Sequence, residues 1–282
     1  MKSLRRLLED RTAVGGLIVV VIFVLAAVLA VVAAPAPYDQ QNLPERILPP
    51  AWIDRGSVEH PLGTDQLGRD LLSRIMYGAR ISLLVASISA GVACIVGTVL
   101  GLWSGYFGGL VDAVVMRLAD AQLSFPYLLL AVAIMSIGER GLLKLIIVLS
   151  LGGWVTYART VRASVLVLKQ MEFVEAARTL GATTTRILFL HILPNLAGSI
   201  IVVGTFQFAQ MILTESSLGF LGLGVQPPTP SWGGMLSQGR SYFSTAWWLV
   251  IFPGVTIMLA VLGTNLLGDG LRDALDPRLK TH

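Results

Sequence analysis

The side chains able to do chemistry are few in this chain and stand apart from one another. His60, His191 and His282 are scattered too widely to suggest a metal site, and the single Cys94 lies inside an apolar run. A lone thiol gives no intrachain disulfide and says nothing of redox compartment. The nucleophile-elbow pattern G-x-S-x-G and the zinc-protease pattern H-E-x-x-H are both absent. Gly219, Gly222 and Gly224 have G-x-x-G-x-G spacing, but no βαβ context surrounds them, so they do not read as a dinucleotide fingerprint. No G-x-x-x-x-G-K-[ST] occurs, nor any Gly-Lys dipeptide, so this chain has no phosphate loop with which to burn ATP. Arg117 and Asp120, three apart on a helix, can pair as they enter an apolar layer. A proton relay would want more acids; Glu215 is the one other acid near such a layer.

The elements that carry these groups are membrane spans. Hydrophobic residues are 54% of the 282 and charged residues 13%, with a mean hydropathy of +0.73, against about 25% charged in a soluble domain. The net charge of +4 is modest and sets topology rather than binding nucleic acid. After MKSLRRLLEDR, an uncharged run begins at Thr12. A cleaved signal peptide is the rival reading, because Ala34-Pro35-Ala36 loosely mimics a cleavage site. A signal core is roughly 7–15 residues, whereas this run reaches the roughly 20 that a span needs. The expectation is an uncleaved first span over 13–35, with 1–12 held in the cytoplasm by Lys2, Arg5, Arg6 and Arg11.

Residues 36–80 carry prolines 37, 44, 49, 50 and 61 and admit no spanning helix, so by alternation they are extracytoplasmic. Thr64 or Asp65 can cap a helix with Leu67, Leu71 and Leu72 toward the membrane and Arg69, Asp70, Arg74 and Arg80 at the water interface. The following core, 81–271, holds five spans, near 81–103, 114–137, 145–157, 196–214 and 245–267. Small residues recur every four positions along the first of these: Ser89, Ala93, Gly97, Gly101, Gly105 and Gly109. Such a ridge lets a second helix approach closely, within the subunit or between subunits. Pro126 is placed to kink the next span, and Arg159 and Arg162 stand at the inner end of the one after. Ser216 to Trp232 is apolar, glycine-rich and broken by Pro227, Pro228 and Pro230, which suggests an irregular or re-entrant segment buried in protein. Residues 272–282 form a cytoplasmic tail, with Arg272, Arg278 and Lys280 agreeing.

Between the fourth and fifth spans lies EFVEAARTLGATTTRILFLHILP, in a loop of about 169–194. Phe173, Ala176, Ala177 and Leu180 can share one helical face, with Glu172 and Glu175 beside it. Gly181 stands where a helix ends in a left-handed residue, one of Thr183, Thr184 or Thr185 can cap a second helix, and Pro194 interrupts that helix. By periodicity alone this is a docking element or an ordinary amphipathic connector. The pattern Glu175-Ala176-Ala177, Gly181, Leu193-Pro194 resembles the EAA loop of permease subunits in bacterial ABC importers, with His191 where the family has Ile.

Three further segments resemble the dipeptide, oligopeptide and nickel branch of that family: Gly63 to Arg80, Glu215 to Gly233, and Leu267 through Arg278. The resemblance implies an all-α integral membrane protein with six transmembrane helices and the MetI-like permease fold of type I ABC importers. It implies a bacterial inner-membrane subunit with both termini cytoplasmic, pairing with a sister permease to form the path. Two cytoplasmic ATPase subunits or domains would use ATP and Mg, an extracytoplasmic binding protein would deliver ligand, and this chain would hold no cofactor. Glu172, Glu175, Ala176, Ala177, Gly181, Leu193 and Pro194 are the expected ATPase-coupling residues; Gly97, Gly101 and Gly105 the expected helix-packing residues; Glu215, Ser216 and Trp232 the expected outer mouth, with Trp232 as its anchor. Residues that touch substrate stay unassigned. The ligand implied is a di- or oligopeptide, with nickel the alternative; a secondary transporter would place more acids or ions at mid-membrane.

Overall fold

A computed structural model describes residues 9–275, and all structural statements refer to them. Lys2, Arg5, Arg6, Arg278 and Lys280, on which part of the topology reading rests, lie outside the described residues, as does His282.

Among the described residues, nine α-helices run across and along the bundle. They are α1 (Arg11–Ala33), α2 (Leu71–Phe107), α3 (Gly109–Leu123), α4 (Tyr127–Ser136), α5 (Leu142–Leu168), α6 (Glu172–Thr179), α7 (Thr184–Phe220), α8 (Trp232–Gly239) and α9 (Trp248–Leu275). Five are long and apolar enough to cross a membrane, and α3 with α4, bent by 84°, makes six if the pair is one span. The bend falls at Phe125-Pro126. Proline disfavours helical geometry in the residue before it and brings no N–H, so α3 stops and α4 starts in a new direction.

α2 begins ten residues earlier than the apolar run implies. Its cap is Asp70, whose carboxylate accepts from the Ser73 amide at 2.7 Å, and not Thr64 or Asp65. The span was expected from residue 81, where the apolar run begins, with Arg74 before it at the water interface; Arg74 is instead buried in a charge cluster, and the helix runs through it. With 37 residues, α2 rises about 55 Å, well past a hydrocarbon core of about 30 Å.

The centre of the bundle is α2 against α5. A Cβ on Gly97 would lie 2.3 Å from the Trp154 carbonyl, on Gly101 2.6 Å from that of Ala158, and on Gly105 2.8 Å from Val165 Cβ. The small-residue ridge therefore faces a helix of the same subunit. α7 and α9 pack on the other side, and α1 rests on α9 where Gly16 meets Gly263. Most of α1 is exposed apolar surface, as a lipid-facing peripheral helix requires.

Two further readings are corrected here. Asp120 pairs with Arg159 of α5, Nη2 to Oδ1 at 2.5 Å, and not with Arg117. Packing of α3 on α5 rotates Asp120 toward that neighbour, and an intrahelical pair is worth only about 0.2–0.5 kcal/mol. Pro194 does not interrupt the second helix of the loop. α7 is continuous from Thr184, with a π-helical section over Ile187–Ile192 immediately before Leu193-Pro194. A π turn leaves a backbone group without its usual partner, and a proline, which has no N–H, costs little just after it.

Candidate functional site

The first candidate site is the short helix α6 and the turn behind it. Its two acids, Glu172 and Glu175, sit in the first turn and Arg178 in the last, the arrangement a helix dipole favours. The turn is held from both sides: the Gly181 amide donates to the Arg178 carbonyl and the Ala182 amide to that of Ala177, each at 3.0 Å. This is a Schellman motif, and its left-handed position is Gly181 at φ +81°. Thr183 then caps α7, its hydroxyl accepting from the Arg186 amide.

α6 is seated by one edge only. Val174 and Ala177 are buried against Leu102, Val161, Val165, Ile187 and Ile192. Ala177, at 8% exposure, is thus part of the chain's own core, and the expectation that it shares a face with Phe173, Ala176 and Leu180 is corrected. One residue on a helix turns about 100°, enough to send Ala177 inward while Ala176 points out. Glu172, Phe173, Glu175, Ala176 and Leu180 are exposed, Leu180 by 87%. Glu175 meets Arg178 at 3.4 Å, both more than half exposed. The Tyr106 side chain first, and Glu175 second, raise the Arg178 pKa above its ordinary value. Beneath, Lys169 Nζ donates to the Gly105 carbonyl at 2.8 Å and Arg162 grips both oxygens of Asp112, so the loop's base is tied to α2 and α3.

At the opposite end of the bundle, residues 35–74 fold over the ends of α2, α8 and α9 as a cap. Arg69 and Arg74, expected at the water interface, are 4% and 1% exposed; Arg80 is the one that reaches solvent. The Asp65 carboxylate accepts from the Leu67 and Arg69 amides and from Arg69 Nε at 2.7 Å, with Arg74 Nε at 3.5 Å. Gln238 of α8 accepts from both guanidiniums, at 3.2 and 3.1 Å. His60 bridges Asp70 at 3.0 Å and Glu45 at 3.3 Å. Burial of these charges is tolerable because each meets partners. The i,i+4 spacing of Asp65 and Arg69 hinted at the pair; nothing local pointed to Gln238, whose contact spans most of the chain.

Glu215, Ser216 and Trp232 come together just below this cap. Ser82 Oγ donates to Glu215 Oε2 at 3.0 Å, Ser216 Oγ approaches the same oxygen at 3.4 Å, and the Trp232 amide donates to Ser82 Oγ at 3.3 Å. Trp232 is 0% exposed; its indole N–H donates to the Ile75 carbonyl and Phe23 meets its ring edge-on. It locks the irregular segment to α2 from within. Ser82 completes the node and was not singled out by its sequence, where it is one small residue among many.

Residues 97–281 match the family model described as the binding-protein-dependent transport system inner membrane component. The chain belongs to that family. It is an inner-membrane permease subunit of the ABC importer type, and residues 2–50 match the N-terminal TM domain of oligopeptide transport permease C. The permease is 45% identical, over 96% of its own length and 90% of the relative's, to the di/tripeptide transport system permease protein DppC of Pseudomonas aeruginosa. It is 43% identical to the dipeptide transport system permease protein DppC of Haemophilus influenzae, covering 96% and 92%. To the glutathione transport system permease protein GsiD of Pectobacterium atrosepticum it is 42% identical, covering 98% and 90%.

Proposed function

We propose that this permease forms half of an inward path for short peptides and transmits to its spans the work of ATPase subunits docked on α6. The observation that carries the reading is the seating of α6: one buried edge, a glycine-set exit angle and an exposed face of Glu172, Phe173, Glu175, Ala176 and Leu180. Such a helix can be pushed by a partner and can pass the push to α5 and α7 through Val174 and Ala177. Leu193 and Pro194 follow the π section inside α7, the helix that carries the push into the membrane. ATP and Mg belong to the partner ATPases in this reading. A sister permease supplies the second half of the path and a second loop, and an extracytoplasmic binding protein delivers ligand at the cap. Peptides are favoured over nickel by relatives named for dipeptides, tripeptides and glutathione.

The α6 end then faces the cytoplasm and the cap the exterior, with both termini inside. Reporter fusions at Asp54 and Gln226 are expected to read outside and one at Thr183 inside; a cytoplasmic signal at Asp54 defeats this orientation. The assembled complex in liposomes is then given labelled dipeptides, longer peptides and nickel, with uptake and ATPase followed together. Dipeptide uptake coupled to binding-protein-stimulated hydrolysis is expected. Nickel uptake without peptide uptake, or an active homodimer of this chain with an ATPase, overturns the assignment.

A further inference from the structure

Three contacts mark the middle depth of the bundle. Ser150 Oγ donates to the carbonyl of Ser89, the central residue of α2; Gln207 Nε2 donates to the Gly153 carbonyl at 2.9 Å; and Met211 Cε closes on Gly153. Gln210, between the last two levels on α7, is exposed, and its side-chain amide has no hydrogen-bond partner among the described residues. Gln207, one turn away, spends its amide on α5. An amide left facing hydrocarbon forfeits every hydrogen bond it could make, so water, a polar solute or a polar group of the sister permease must reach Gln210 in the working protein.

Gln210 lies in a stripe. Phe206, Gln210, Leu213, Ser217 and Phe220 are all exposed and follow one another at alternating steps of four and three, which keeps them on one helix face. Near the cap the stripe opens into a cavity of about 350 Å³ whose lining includes Leu128, Leu213, Ser217, Phe220 and Leu236. A second exposed groove, between α2 and α5, differs: Ile88, Val92, Val96, Leu143, Ile147 and Leu151 line it with apolar side chains, and its one serine, Ser150, turns its hydroxyl onto backbone carbonyls, as lipid contact requires.

We infer that the stripe Phe206, Gln210, Leu213, Ser217, Phe220 lines the route of the substrate and that the Gln210 amide hydrogen-bonds the peptide backbone in transit. A primary amide both donates and accepts, so it can pair with any peptide unit whatever the side chains. The phenyl and leucyl groups on either side offer apolar walls without further polar demands. This inference rests on the peptide-permease reading and adds the residues that meet the cargo.

The test uses the full transporter in proteoliposomes on a Cys94→Ser background. Single cysteines at Gln210, Ser217 and, as the control, Ile147 are exposed to a charged, membrane-impermeant thiol reagent during turnover and at rest. Gln210→Cys and Ser217→Cys are expected to label and Ile147→Cys not, with labelling slowed when saturating dipeptide and binding protein are present. Gln210→Leu should lower dipeptide kcat/KM about tenfold, the worth of one hydrogen bond, and Gln210→Asn should recover part of it. Absence of labelling at both stripe positions overturns the inference and indicates burial against the sister subunit or lipid. Labelling without protection by dipeptide, or wild-type kcat/KM in Gln210→Leu, also overturns it. Failure of the parent transporter to take up any dipeptide overturns the peptide reading instead, and the labelling pattern still decides whether the stripe faces water.

Discussion

The two ends of this permease treat their charges in opposite ways. At the cap, Asp65, Arg69, Arg74 and Asp70 are buried and interlocked with Gln238 and His60, across contacts that join distant parts of the chain. At α6, Glu172, Glu175 and Arg178 are exposed, and the ion pair of Glu175 with Arg178 stays within a single helix. The cap pairs its charges within the chain and leaves only Arg74 Nη1 without a hydrogen bond among its buried side-chain nitrogens and oxygens; α6 is finished only on its buried edge. An end that must be gripped by a partner keeps its polar groups free, and an end that must hold several helix termini together satisfies them internally.

Breaking the cap should have the largest effect on folding. Asp65→Ala removes the one carboxylate shared by two buried guanidiniums and is expected to cost about 3–5 kcal/mol. Thermal unfolding of the purified permease in detergent measures it, and an unchanged midpoint would mean that water reaches the arginines. Trp232→Ala should be nearly as severe, about 3–5 kcal/mol for an aromatic side chain with no exposed surface. Retained stability with altered uptake would instead move Trp232 from internal lock to functional contact.

At the other end the effects on folding shrink. Ala177→Leu overpacks the buried edge of α6 and should cost about 1–3 kcal/mol. It is also expected to displace α6 and so raise ATPase activity relative to uptake, read in one liposome preparation. Gly181→Val forces a β-branched residue to φ +81° and should act likewise, at about 1–2 kcal/mol. The smallest change in stability belongs to Glu175→Ala, since an exposed pair is worth about 0.2–1 kcal/mol. Its uptake, however, is expected to fall far below wild type. If Glu175→Ala transported normally, α6 would be an ordinary connector, and the contrast between the ends would lose its functional meaning.

The sequence by itself determined the parts governed by local rules. Apolar runs became helices, extended at 145–157 and 196–214 well beyond the runs themselves; Pro126 broke one of them; Gly181 took the left-handed turn and Thr183 the cap that followed. The ridge of Gly97, Gly101 and Gly105 was legible because four-residue spacing has one meaning on a helix, though its partner was not. Tertiary structure decided whatever depends on how each helix is rotated. Asp120 met Arg159 and not Arg117, Ala177 turned inward while Ala176 stayed out, and Arg74 left the interface for a buried cluster. Gln207 found a carbonyl on α5, and Gln210 found none. Rotation is set by side chains packing between helices far apart in the chain, and periodicity within one helix carries no record of which neighbour will cover which face.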